Sequence, residues 1–138
     1  MSNKHKRKRN SQEIPQLILF TAKLFERISP SLATSFASKL FITPIKHRIP
    51  KRELKMERES CQEKVLIPAL NKSIHVYHYG ASAKKVLLVH GWSGRGTQMS
   101  VIAEELLKKG FATVSFDAPA HGKSAGSTTI MTEFISSI

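Results

Sequence analysis

The sequence lacks most of what would place a chain outside a reducing compartment or across a bilayer. Its one cysteine, Cys61, cannot close an internal disulfide, and cross-linked secreted domains carry paired cysteines. No apolar run is long enough to span a membrane. The best candidate, Ile14 to Phe20, is interrupted by Pro15 and Gln16 and followed by Lys23, Glu26 and Arg27, whereas a span needs about 20 apolar residues. The same stretch is not followed by the small-residue cleavage site of a secretory signal. Acidic residues are scarce: 10 Asp and Glu stand against 22 Lys and Arg, a formal net charge of +12. Acidic partners therefore have to be weighed. The expected location is cytoplasmic, or peripheral to a membrane.

The charge is uneven. Lys4, Lys6, Arg7, Lys8 and Arg9 crowd the first ten residues, and residues 1–12 read as a basic disordered tail. Such a run is usually solvated; its sharper reading is weak contact with an anionic membrane surface, ahead of nucleic acid. Residues 13–43 read as a helical hairpin. Leu17, Phe20, Leu24, Phe25 and Ile28 share one helical face. Ser29-Pro30 restarts the helix with a capping residue and a proline at its first position. Leu32, Ala33, Phe36, Ala37, Leu40 and Phe41 then form the second apolar face; the hairpin is expected to pack over the sheet or a cap, the alternative being that its Phe/Leu face lies on a membrane. Residues 44–62 are charged without a clear apolar face and read as a linker. Glu63–Ile67 and Ser73–Tyr79 alternate around the turn residues Leu70-Asn71-Lys72, the pattern of an edge β-hairpin. His75 and His78 fall on opposite faces of that strand and are poor joint metal ligands.

The informative stretch is Val86-Leu87-Leu88-Val89-His90-Gly91-Trp92-Ser93-Gly94-Arg95-Gly96-Thr97. An apolar run without alternation predicts a strand buried on both faces. It meets a glycine-rich corner. Met99, Ile102, Ala103, Leu106 and Leu107 then follow at helical spacing, with Gly110 as a stop. A second unit repeats the logic: Phe111–Phe116 predicts a strand, and Asp117-Ala118-Pro119-Ala120-His121-Gly122-Lys123-Ser124 ends it. A strand that stops at such a corner is where open α/β sheets place ligands.

Strand, His-Gly-Trp, helix, strand and Asp-x-Pro-x-His-Gly-x-Ser, in that order, resemble the N-terminal half of the α/β-hydrolase fold family, which includes serine esterases, lipases and peptidases. The resemblance covers residues 63–138. It implies an α/β architecture: a β-hairpin, then parallel strands with crossover helices, preceded here by the helical hairpin. It implies a hydrolase acting on a small-molecule ester or amide, with no cofactor and no metal. By resemblance His90, Gly91 and the backbone N–H of Trp92 build part of an oxyanion hole, and Trp92, Ser93 and Arg95 line the substrate side. Arg95 either meets an anionic substrate or caps the loop. Asp117, His121, Gly122 and Ser124 form a structural loop beside the site. The nucleophile, acid and base are expected beyond Ile138, so the chain reads as a fragment of a longer protein.

Four near matches fail on chemistry or geometry. Gly91–Gln98 has Thr97 where a phosphate-binding loop needs lysine, and Asp117–Ser124 starts with a carboxylate that repels phosphate. A dinucleotide fingerprint fails because Met99 stands where its third glycine belongs. Gly91-Trp92-Ser93-Gly94-Arg95 imitates a nucleophile elbow, but Arg95 replaces the closing glycine. Asp117 and His121 also lie too close in sequence for His121 to bridge Ser93 and Asp117. Besides the hydrolase, two other classes remain open: a non-catalytic hydrolase-like binding protein, and a peripheral membrane or nucleic-acid module working through the basic N-terminus. Without a nucleophile–base pair, residues 1–138 alone are expected to turn over no nitrophenyl ester above a Ser93→Ala control; activity lost in that control would make Ser93 the nucleophile.

Overall fold

The computed structural model describes residues 14–138; the basic tail at residues 1–12 lies outside the described residues. The chain divides into two compact units, one ending at Lys39 and one running from Leu40 to Ile138. In the first, α1 (Gln16–Ile28) and α2 (Pro30–Phe41) meet at an extended Ser29. Pro30 takes the first helical position, where its missing N–H costs nothing. The two helices touch edge to face through Phe25 and Phe36, ring centroids 5.2 Å apart. No residue of α1 or α2 is buried; Leu17 and Phe20 are 75% and 65% exposed. No helix among those residues is long and apolar enough to cross a membrane.

The second unit is built on a four-stranded sheet. Its strands are β1 (Cys61–Ile67), β2 (Lys72–Tyr79), β3 (Lys85–Leu88) and β4 (Ala112–Asp117), in the spatial order β1-β2-β4-β3. β1 and β2 form the antiparallel edge hairpin, closed by a 3-10 turn at Pro68–Leu70 and by Asn71 in the left-handed conformation at φ 47°. β4 pairs antiparallel with β2 and parallel with β3. The parallel pair needs a crossover, supplied by a 3-10 turn (Gly96–Met99) running into α4 (Ser100–Lys108). A short α5 (Met131–Ile135) closes the chain.

Each face of the sheet carries its own core. Ile74, Val76, Phe116 and Ala118 pack with Phe134 of α5 on one side. Tyr79, Leu88, Ala103 and Met56 gather on the other, with Val86, Leu106 and Leu107 against them. β4, one of the two inner strands, is buried at five of its six positions. β3 departs from the expectation of burial on both faces: Leu88 is buried, but Leu87 is 44% exposed. The reason is position, since β3 is the outer strand beside β4.

The expected linker at residues 44–62 is also corrected. A 3-10 turn at Lys51–Glu53 leads into α3 (Leu54–Glu59), and Cys61 and Gln62 already belong to β1. Met56 is fully buried and Glu53 nearly so. Leu54 and Met56, two positions apart among Lys, Arg and Glu, give no apolar stripe, so the segment reads as solvated. Because Met56 fills the core beneath α4, Met56→Ala should cost about 2–5 kcal/mol. Urea unfolding of the chain checks this; a loss below ~1 kcal/mol would return residues 44–62 to the role of a linker.

Candidate functional site

The corner between β3 and α4 turns within four residues. Gly94 N–H donates to Gly91 C=O at 3.0 Å, closing a β-turn with Trp92 and Ser93 at its centre. Ser93 has φ +55°. A positive φ at the third turn position is the type II arrangement, normally given to glycine or asparagine, and a serine there carries a conformational penalty. Two hydrogen bonds offset it. The Ser93 N–H donates to His121 Nε2 at 3.0 Å, and the Ser93 hydroxyl oxygen accepts from Ile45 N–H at 3.0 Å.

Beneath the turn lies Asp117, at the end of β4 and 1% exposed. Its Oδ1 accepts from Gly96 N–H at 2.7 Å; its Oδ2 accepts from Lys123 N–H at 2.7 Å and from the Tyr77 hydroxyl at 3.0 Å. Two of the donors are backbone amides, brought close by glycines. A Cβ on Gly122, at φ +42°, would collide with the Asp117 carboxylate, and one on Gly96 would lie 2.8 Å from the Tyr77 ring. Burial and the adjoining carboxylate raise the Tyr77 hydroxyl well above its usual range, so it stays a proton donor. Ser124 finishes the loop: its hydroxyl donates to Asp117 C=O and accepts from His75 N–H.

His90 and His121 stand between these loops with ring centroids 5.0 Å apart. Each accepts a backbone N–H at Nε2, His90 from Ala118 at 3.1 Å and His121 from Ser93. Each therefore carries its proton on Nδ1, donating to Gly91 C=O at 2.7 Å and to Pro119 C=O at 2.9 Å respectively. These tautomers follow from the network. Burial holds both imidazoles below their ordinary pKa, and at His90 the neighbouring His121 adds to the lowering.

The residues of the imitation elbow do not form a catalytic relay. His121 meets the Ser93 backbone and not its hydroxyl, and Asp117 spends its oxygens on Gly96, Lys123 and Tyr77. Arg95, expected on the substrate side or as a loop cap, is 9% exposed and turned inward. Its Nε lies 3.5 Å from Glu53 Oε2, and one guanidinium N–H donates to His47 C=O at 2.8 Å. Glu53 also accepts from the Thr97 hydroxyl at 2.9 Å. The substrate-contact reading of Arg95 is thereby corrected: a buried ion pair is expensive to break, and this one fastens the corner to the turn before α3. Ser93 likewise faces Ile45 through its hydroxyl. Lys123, the lysine of the false phosphate loop, pairs with Glu57 and Gln62 and lies 5.7 Å over the Tyr77 ring.

Trp92 is different. Its side chain is 44% exposed, stacked on Phe41 at 6.2 Å and edge-on to His121 at 5.3 Å. Its backbone N–H makes no hydrogen bond with any of the described residues. Gly91 beside it has open space on its Cα: an added Cβ would meet nothing within 4 Å. His75 and His78, dismissed as metal ligands, are each occupied, by Gln62 at 2.8 Å and Glu63 at 2.7 Å. Among the described residues no group of three potential ligands could hold a metal ion.

Sequence reasoning missed Glu53, Tyr77 and Ile45. Tyr77 was legible as a strand residue on the face that meets the corner; Glu53 looked like any charge in a charged stretch, and Ile45 acts through its backbone.

No protein-family model matches the chain, and no curated protein matches it. Solved structures do. The esterase Pf2001 of Pyrococcus furiosus aligns over 65% of this chain and 36% of its own, at 25% identity and a TM-score of 0.50. A bromoperoxidase from Bacillus anthracis aligns over 55% of this chain and 28% of its own, at 23% identity and a TM-score of 0.48. This chain has an α/β-hydrolase fold. It spans about a third of the length of the structures it matches, and within that α/β-hydrolase portion the His90–Arg95 corner joins β3 to α4.

The histidines set a pH dependence. In the unfolded chain they titrate near the ordinary 6.5; in the fold His75, His90 and His121 are all lowered, burial first among the causes. As pH drops through 6.5 the unfolded chain takes up protons that the fold refuses, so stability, complete above that value, is lost progressively down to the folded pKa values. The thermal midpoint should fall between about pH 7.5 and 5.5, before carboxylates titrate. A flat midpoint across that window would contradict neutral, buried histidines.

Proposed function

We propose that the chain supplies the oxyanion side of a serine-dependent hydrolase acting on a small-molecule ester or amide, with nucleophile, acid and base contributed from outside these residues. One observation carries this reading: the Trp92 N–H has no acceptor among the described residues, at the exposed tip of a corner where Ser93, Gly94 and Gly96 have theirs and only the flanking Gly91 and Arg95 amides share its lack of one. Acyl transfer places negative charge on a carbonyl oxygen, and a fixed backbone donor meets that charge without reorganising. Such a donor is worth ~3 kcal/mol in the transition state. His90 and Gly91 shape the turn, and the hydrogen bonds of Ser93 keep it from relaxing. The Trp92 indole, half exposed above His121, would lie along the acyl side of the substrate. No cofactor or metal has a part in this scheme.

A non-catalytic binding protein would use the same corner as a plain anion or carbonyl site, so turnover separates the two. In the whole protein, Trp92→Phe should keep much of the activity and lose mainly substrate affinity, because the working atom is the backbone N–H. Trp92→Pro removes that donor and should lower kcat by about a hundredfold or more. Circular dichroism and the Phe variant control for folding. A folded Trp92→Pro protein with normal kcat would take the corner out of the mechanism and leave the binding-protein reading.

A further inference from the structure

We propose that His121 is a positioning residue that holds the Gly91–Gly94 turn in its type II form only while its imidazole is uncharged. The proposal goes beyond the oxyanion reading: it concerns the Trp92–Ser93 peptide, the neighbour of the one that carries the Trp92 N–H, and it stands on the geometry of the turn alone.

The type II turn and its type I relative differ by a flip of the central peptide, here the link between Trp92 and Ser93. In the type II form Ser93 sits at φ +55° and presents its N–H to His121 Nε2, 3.0 Å away. The type I form relieves the positive φ, which disfavours a residue with a Cβ. Serine thus leans toward the flip, and the His121 acceptor opposes it. The opposition is conditional: a protonated imidazole has no lone pair at Nε2, and two N–H groups then face each other. The flip removes the clash and turns the Trp92 C=O toward the new Nε2–H. The Ile45 N–H holds the Ser93 hydroxyl from the other side, so the change is confined to one peptide link and does not release the loop.

The surroundings set where the switch lies. From β4, Asp117 favours the imidazolium; from the segment after α2, Lys46 opposes it, its ammonium held on Ser124 C=O at 3.2 Å. The corner after β3 contributes His90, also uncharged, and the edge of Trp92; α5 contributes the Phe134 ring at 5.6 Å. The Pro119 C=O, accepting from Nδ1, stabilises the cation, but burial outweighs it and moves the transition below the ordinary histidine range.

The test is an NMR titration of the full 138-residue chain from about pH 8 to 4.5, following the His121 ring carbons and the Ser93 amide together. The expected result is one shared midpoint below 6.5. Protection of the Ser93 amide from exchange, corrected for the intrinsic pH effect, should fall about fivefold across it, the loss of one ordinary hydrogen bond. Amides of Thr113 to Phe116 should not move, which a general loosening would not allow. His121→Gln offers an acceptor that does not titrate and should abolish the Ser93 step. The proposal is overturned if His121 titrates while the Ser93 amide stays fixed, if the step survives in His121→Gln, or if the ring stays neutral to pH 4.5. Should His121→Gln fail to fold, the wild-type titration alone decides. No turnover is involved, so the coupling and the hydrolase reading can fail separately.

Discussion

Everything near the corner depends on how one buried carboxylate is satisfied. Asp117 sits at the end of β4 with 1% of its surface exposed, and an ionised carboxylate there is tolerated only with its oxygens hydrogen-bonded. The donors come from three separate places: the strand β2 through Tyr77, the turn before α4 through Gly96, and its own loop through Lys123. Satisfying the charge therefore fixes the two loops relative to the sheet. Both glycines follow from this. A side chain at Gly122 would occupy the carboxylate's own space, and one at Gly96 would strike Tyr77. The Asp-x-x-x-His-Gly-x-Ser pattern is thus the set of conditions under which a strand end can hold a charge indoors.

A second buried charge is managed differently. Glu53 and Arg95 are paired to each other, with the Thr97 hydroxyl and the His47 carbonyl taking up remaining positions. This ties the start of α4 to the segment before α3. That segment also sends the Ile45 N–H onto Ser93 and lays Phe41 on Trp92. The corner is held from below by β4 and from the side by residues that precede the sheet in sequence. On the proposed reading, this is what a backbone donor for an oxyanion requires: an amide whose orientation is settled before substrate arrives.

The parts of this arrangement that sequence reveals are those with a local signature. β2 and β4 appear as runs of β-branched and aromatic residues, the hairpin turn as Asn71, the helix stop as Gly110, and the two corners as glycines after apolar runs. Long-range partnerships have no such signature. Glu53 is one of several acids in a charged stretch, and nothing local separates it from its exposed neighbours; only the fold places it under Arg95. Met56 shares its short helix with only one other apolar residue, Leu54, too little for a stripe, yet it has no exposure. β3 failed in the opposite sense. Its apolar run predicts two covered faces, but coverage is decided by what stands beside the strand, and Leu87 lies on an outer one. Ser93 shows the same limit at a site: its place between glycines imitates an elbow, and only the direction of its N–H and hydroxyl reveals that it holds the turn.

On the proposed reading, the balance of charge around Trp92 bears on what a backbone N–H without an acceptor among the described residues would do there. The chain carries a formal +12, but the corner does not. Arg95 is paired with Glu53 and Lys123 with Glu57, the Asp117 carboxylate is met by fixed donors, the Lys46 ammonium rests on Ser124 C=O, and burial holds the His90 and His121 imidazoles below their ordinary pKa. A full positive charge at the corner would attract anionic ligands at all times and bind ground states as readily as transition states. An amide dipole offers little to a neutral carbonyl and more to the oxyanion that forms from it, and that difference is what lowers a barrier. Keeping the histidines uncharged preserves the distinction, because an imidazolium 5.3 Å from the Trp92 ring would restore the indiscriminate charge that the buried pairs remove.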